Sequence, residues 1–223
     1  MDLSVSSIIT AAGKNTRMQE DQQKKDLPRK NKLLLEIQRK PVITHTIKRV
    51  LNADVDECIL VVGHFQEEII LAINDIDDSR IKIIENQPPD VSLSQSLLNG
   101  VQNSTGKICL CAAADQPTVS TKTFTNLIDV IKSYEKPENI LSVLSRIESG
   151  FLNSAEGLGM PFSCHRILLE KYLPRYSSNI NPILREIIKD GVVFYGQECE
   201  NELELVNINR MNDYELILDN FTD

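Results

Sequence analysis

The run IITAAGKNTRM, residues 8–18, is an apolar segment of strand length that ends in small residues, turns through a polar loop and meets an arginine. Small side chains let a backbone approach a ligand closely, Gly13 can take a positive φ, and successive N–H groups in such a turn form a concave anion site. Only one glycine is present, so the run is not a GxGxxG dinucleotide fingerprint, and no Gly-Lys-Ser/Thr closes it as a Walker A loop. Arg17 is a planar fork suited to phosphate oxygens. Lys32, which opens KLLLEIQRKPVI at 32–43, is a compact second charge. Taken singly, either residue reads as a surface cation.

Working outward, apolar runs of strand length recur: VSSIIT at 5–10, CILVVG at 58–63, IKIIEN at 81–86 and KICLCAAAD at 107–115. Between them lie helical spacings. Ile43, Ile47, Val50 and Leu51 follow Pro41; Leu93, Leu97, Leu98 and Val101 form a second set; Phe124, Leu127, Ile128 and Ile131 follow Thr121. Strand and helix therefore alternate, which predicts an α/β fold with right-handed crossovers, a mainly parallel sheet covered by helices, and ligands outside the carboxyl ends of the strands. The second half is less regular. It reads as a strand at 140–145, helices at 163–173 and 180–189, strands at 192–196 and 203–209, and a final helix to about Asn220. The charged run QEDQQKKDLPRKN, 19–31, is expected as a mobile solvent-facing loop, either a plain insertion or a lid over a ligand.

A length of 223 residues, 41% hydrophobic, suits one large domain over 1–223. The net charge of -8 offers no basic stripe for a nucleic-acid backbone, so no nucleic-acid partner is expected. Five cysteines without small-scaffold spacing point to reduced thiols in a cytoplasm. Cys109 and Cys111 fall on one face of a strand and read as buried thiols, with no zinc site. The opening MDLSVSSIIT lacks a basic start, and no run reaches the length of a membrane span, so a soluble, non-exported protein with no membrane partner is expected.

Four segments in order resemble one family. TAAGKNTRM at 10–18 is similar to its LAAGxSxRMG, and KLLLEIQRKPVI to its KxLLxxxGKPLI. NQPPDVSLSQSLLNGV at 86–101 is similar to NPxxxxGxSxSLxxGL, and AAADQPTV at 112–119 to a segment ending GDQPLV. GMPF at 159–162 and VNINRMNDYELI at 206–217 extend the likeness toward the C-terminus. The chain thus resembles the MobA-like nucleotidyltransferases and, among them, the molybdenum-cofactor cytidylyltransferases, because its start reads TAAG rather than the guanylyl members' LAGG.

The resemblance implies a three-layer α/β/α Rossmann-like fold with one antiparallel sheet strand. It implies that Ala11, Ala12, Gly13 and Lys14 line the base and phosphates, that Asn86, Ser94 and Ser96 lie toward the nucleobase, and that Arg17 and Lys32 neutralise the leaving pyrophosphate. Asp115 would hold Mg²⁺ (or Mn²⁺) against the triphosphate. Read from the residues alone, Asp115 is either that ligand or a turn-initiating aspartate before Pro117, and the serines are equally helix N-caps. The implied reaction is in-line attack by an acceptor phosphate on the α-phosphorus of an NTP, CTP favoured, with Arg17, Lys32 and Asp115 as the catalytic set and molybdopterin as the favoured acceptor. His45, His64 and His165 are not needed.

The sequence departs from the pattern at Ser92 in place of glycine, at Met160, at SSNINP (177–182), and at Asn207 and Asn209 where members often present a second carboxylate. Asparagine oxygens can join a metal site but add no charge, and Asp213 is the nearest substitute. A nucleotide-binding regulator or partner of molybdoenzyme maturation is therefore the alternative to an active enzyme, and another phosphorylated sugar, alcohol or cofactor precursor the alternative acceptor.

Overall fold

The computed structural model describes residues 3–145 and 149–221. Its elements run β1 (Val5–Ala11), α1 (Thr16–Lys24), β2 (Glu36–Ile37), β3 (Lys40–Pro41), α2 (Val42–Leu51), β4 (Glu57–Val62), α3 (Gln66–Ile73), β5 (Ile81–Glu85), α4 (Leu93–Gln102), β6 (Ile108–Ala113) and α5 (Thr121–Ser133). They continue with β7 (Ile140–Leu144), β8 (Gly150–Leu152), β9 (Phe162–His165), α6 (Arg166–Tyr172), α7 (Ile180–Lys189), β10 (Val193–Gln197) and α8 (Met211–Asn220). Apart from the small β2–β3 hairpin, the strands form one sheet in the order β5-β4-β1-β6-β9-β7-β10-β8. The pairs β5–β4, β4–β1, β1–β6 and β7–β10 are parallel. β9 runs antiparallel between β6 and β7, and the short edge strand β8, which the sequence did not suggest, runs antiparallel to β10.

The continuous apolar runs of β1, β4 and β6 are explained by burial on both faces, whereas the run at 81–86 forms the partly exposed edge strand β5. Along β4, Cys58, Leu60 and Val62 face one core while Ile59 and Val61 face the other, and β6 divides in the same way between Leu110 and Cys109 with Cys111. The first core is covered by α2, α5 and α8 through Ile43, Ile47, Phe124, Leu127 and Ile217. The second is covered by α4, α6 and α7 through Leu97, Val101, Leu169 and Ile183. Three layers result, α/β/α. Helix α4 lies very close to β1, because a Cβ on Gly100 would come within 2.5 Å of Ile8 Cγ2.

Three segments differ from the sequence reading. Residues 19–24 belong to α1 rather than to a loop: Met18 and Gln22 are buried, and Gln22 both donates to the Lys30 carbonyl (3.0 Å) and accepts from the Lys30 N–H (3.1 Å). A polar side-chain clamp of this kind leaves no hydrophobic period to read. The helix expected over 163–173 begins only at Arg166, since Phe162 and Cys164 alternate into the second core as β9. The strand expected over 203–209 is instead a 3-10 turn, Glu202–Leu205, followed by an extended stretch outside the sheet. Its cause is buried Glu204, whose carboxylate accepts from Ser120 N (2.8 Å) and Thr123 Oγ1 (2.7 Å) at the start of α5. Among the described residues no helix is long and apolar enough to cross a membrane.

Candidate active site

Parallel pairing brings the carboxyl ends of β1, β4 and β6 to one edge, with Ala11 beside Val62 and Thr10 beside Ala113. A pocket of about 360 Å³ opens there, lined by Ala11, Ala12, Gly13, Arg17, Lys32, Ser96, Asp115, Asn207 and Asn209 together with Thr10, Asn31, Leu33, Val91, Leu93, Ala113 and Met160. Its size lies within the range of small-ligand sites, at the edge where α/β sheets bind them. A Cβ on Gly13 would meet nothing within 4 Å, so the missing side chain leaves room above the turn. The left-handed residue of the turn is Asn15 (φ 63°) and not Gly13. Asn15 can adopt this conformation, and its side chain secures it by donating to the Lys30 carbonyl (3.1 Å) and accepting from Lys32 N–H (3.2 Å). That bond sets the start of the 3-10 turn Lys32–Leu34 and aims Lys32 into the pocket.

The charges converge. Lys32 Nζ donates to Asp115 Oδ2 at 2.5 Å and to Asn209 Oδ1 at 3.2 Å, and Arg17 Nη2 donates to the same Asn209 oxygen at 2.8 Å. Asn207 Nδ2 donates to the other Asp115 oxygen at 3.3 Å. The extended stretch carrying the two asparagines is fixed by the Ile208 N–H, which donates to the Asp115 carbonyl (3.0 Å). Gln116, whose role the sequence reading missed, is buried and braces the arrangement: it accepts from Ala113 N and donates to the Met160 carbonyl and Asn207 Oδ1. Its position directly after Asp115 was the only signal of that role.

Other expected site residues lie outside the pocket lining. Asn86 is buried and spends its amide on Ser96 Oγ (2.9 Å) and Asn99 Nδ2 (3.0 Å). Ser94 is fully buried, donating to the Tyr176 carbonyl and accepting from Ser178 N, so it anchors the 176–178 segment. The helix N-cap is Ser92, in a capping box with Gln95. Lys14 turns from the pocket to Asp90 (2.6 Å). Asp213, the candidate substitute carboxylate, is directed at the backbone N–H groups of Asn209 and Arg210 (2.9 and 2.8 Å) as the first-turn acid of α8. The buried thiols are remote: burial pushes Cys109 up to about 12 and Cys58 to about 11. Among the described residues no group of three or more His, Cys, Asp or Glu side chains is placed to hold a metal by itself.

A doubly covered, mainly parallel sheet thus carries, at the carboxyl edge where α/β sheets bind ligands, a pocket lined by Arg17, Lys32, Asp115, Asn207 and Asn209. The family model described as the MobA-like NTP transferase domain matches residues 7–169, and the chain belongs to that family. A nucleotidyl transferase from Methanothermobacter thermautotroptrophicus is 42% identical, with a TM-score of 0.90 over 97% of this chain and 96% of that one. 4-diphosphocytidyl-2C-methyl-D-erythritol synthase from Anaerococcus prevotii shares the fold at TM-score 0.71 and 16% identity, over 97% of this chain and 95% of that one. The bifunctional protein GlmU of Staphylococcus epidermidis is 26% identical over 94% of this chain. The chain spans less than half the length of such curated relatives, 43% in that case.

Proposed function

We propose that this chain is a divalent-metal-dependent nucleotidyltransferase that transfers a nucleotidyl group, CMP in preference, from an NTP to a small phosphorylated acceptor and releases pyrophosphate in the cytoplasm. The convergence of Lys32, Arg17, Asp115 and Asn209 in one pocket beside the Ala11–Gly13 backbone carries this reading. The TAAG start and the cytidyl product named for the Anaerococcus protein support cytidine, and the motif order supports molybdopterin as acceptor.

The oxygens fit a hard cation. Asp115 Oδ2 and Asn209 Oδ1 meet on a single positive centre, the Lys32 ammonium, which stands where oxygen-liganded Mg²⁺ or Mn²⁺ would be accepted. Asp115 would hold the metal, with Asn209 and Asn207 as neutral donors; when bound, the metal neutralises triphosphate charge. With one carboxylate, already paired to Lys32, these residues would hold a metal only together with triphosphate oxygens. Lys32 then turns from Asp115 to the phosphates, and Arg17 adds a planar fork to the departing pyrophosphate. An acceptor phosphate oxygen attacks the α-phosphorus, the bond to the β-phosphate bridging oxygen breaks, and both electrons leave on pyrophosphate. The anionic acceptor needs no side-chain base.

The single carboxylate favours one second reading, a nucleotide binder that does not turn over and serves molybdoenzyme maturation. Pyrophosphate release separates the two. With Mg²⁺ and each of the four NTPs, across phosphorylated pterin, sugar and alcohol acceptors, release above the acceptor-free rate is expected for CTP and at least one acceptor. Nucleotide binding with no release from any pair would overturn transfer and favour the binder.

A further inference from the structure

A second lysine–aspartate pair lies beside the pocket. Lys14 sits in the turn next to Gly13, and its Nζ reaches Asp90 Oδ2 at 2.6 Å in the loop between β5 and α4. The pair joins two walls of the pocket, because Gly13 and Val91, the neighbours of Lys14 and Asp90, both line it. The loop is seated firmly: a Cβ on Gly63 would come within 3.0 Å of both the Pro89 carbonyl oxygen and Ala12 Cβ. The second Asp90 oxygen faces His64 Nε2 at 3.9 Å, and that nitrogen has no hydrogen bond among the described residues. Asp90 therefore keeps a polar neighbour when Lys14 departs. The Lys14 ammonium holds the Asp90 carboxyl below its ordinary value.

The two lysines differ in what holds them. Lys32 and Asp115 are 16% and 13% exposed, whereas Lys14 and Asp90 are 55% and 61% exposed. An ion pair in water at that exposure contributes little, and the lysine stem is long and flexible. A triphosphate in the pocket presents several charges within reach of the turn, and charge-assisted bonds to phosphate are stronger than an exposed pair.

Resting on the nucleoside triphosphate reading above, we infer that Asp90 is the resting counter-ion of Lys14, and that bound triphosphate takes Lys14 from it. Asp90 is thus a positioning residue that competes with the ligand for one lysine and sets nucleotide affinity without entering the chemistry. A strap that merely orders the pocket would behave differently: removing either partner would weaken binding. Counter-ion exchange gives the two variants opposite signs.

The test is calorimetric titration of CTP with Mg²⁺ at low salt into the wild type, Asp90→Asn, Lys14→Ala and the double variant. Asp90→Asn should lower Kd about threefold and Lys14→Ala raise it by up to about tenfold. The double variant should match Lys14→Ala alone, since Asp90 acts only through that lysine. In turnover, Asp90→Asn should lower KM with kcat unchanged. Wild-type binding with Asp90→Asn equal to or weaker than wild type overturns the inference alone. A wild type that binds no nucleotide overturns the functional reading and this inference together.

Discussion

Asp115 and Glu57 stand at opposite ends of the sheet, and each is a shielded carboxylate paired to a lysine. Glu57 begins β4 at the amino edge, where its two oxygens accept from Ser6 Oγ (2.5 Å), Thr105 N (2.5 Å), Thr105 Oγ1 (2.9 Å) and Lys82 Nζ (2.6 Å). Burial would raise its pKa; the bonds from Lys82, Ser6 and Thr105 outweigh that and hold it at about 2, below its ordinary 4.5. All of its partners are used to tie β4 to β1, β5 and the entry of β6. Among the described residues the Asp115 carboxylate accepts only from Lys32 and Asn207, and Arg17 and Asn209 line the same pocket. The same chemical group therefore serves as a structural knot where four bonds tie it to three strands, and as a binding group where a long, redirectable lysine is its one cationic contact among the described residues.

The sharpest way to break this contrast is to neutralise each carboxylate in turn. Asp115→Asn should cut pyrophosphate release by about a thousandfold while leaving the unfolding midpoint near wild type, as expected when a transition-state electrostatic group is lost. Full activity in that variant would remove Asp115 from the site. Lys32→Met should lower kcat more than it raises Kd for the nucleotide, because its charge is most needed on the departing pyrophosphate; an unchanged kcat would make it a surface lysine. Glu57→Gln should do the reverse, leaving nucleotide Kd unchanged and costing about 2 kcal/mol in urea unfolding, since it weakens a buried network of hydrogen bonds.

The smallest effect is a pH signature. Because the folded-state pKa of Glu57 is depressed, its stabilisation is fully present above about 4.5 and is lost as pH falls toward about 2. Glu57→Gln should flatten the stability curve in that window and not above it. An acid limb identical to wild type would show that other carboxylates carry it.

The parallel half of the fold was legible because β1, β4 and β6 are buried on both faces and so read as unbroken apolar runs, each ending at the edge where the site lies. Arg17, Lys32 and Asp115 were legible from their local segments. Asn209 was named from the sequence only as a neutral donor to a metal; that it joins Arg17 to Lys32 was not legible, because it lies 192 residues from Arg17, in a stretch held by the Asp115 carbonyl rather than by a ladder of its own. The strand β9 was hidden because Phe162 and Cys164 run directly into a helical spacing at Leu168 and Leu169. Asn86 and Ser94 occupy motif positions but are used inside the fold, which a one-dimensional pattern cannot separate from facing a ligand.

The most direct test of the account is calorimetric titration of the wild-type protein with CTP, GTP, ATP and UTP, each with and without Mg²⁺, beside Mg²⁺ alone. A pocket with one carboxylate and convergent cations predicts no measurable binding of Mg²⁺ alone and metal-enhanced binding of nucleotide, and the proposed cytidylyl transfer predicts tightest binding of CTP. Absence of binding by every nucleotide, or tight binding of Mg²⁺ without one, would contradict it.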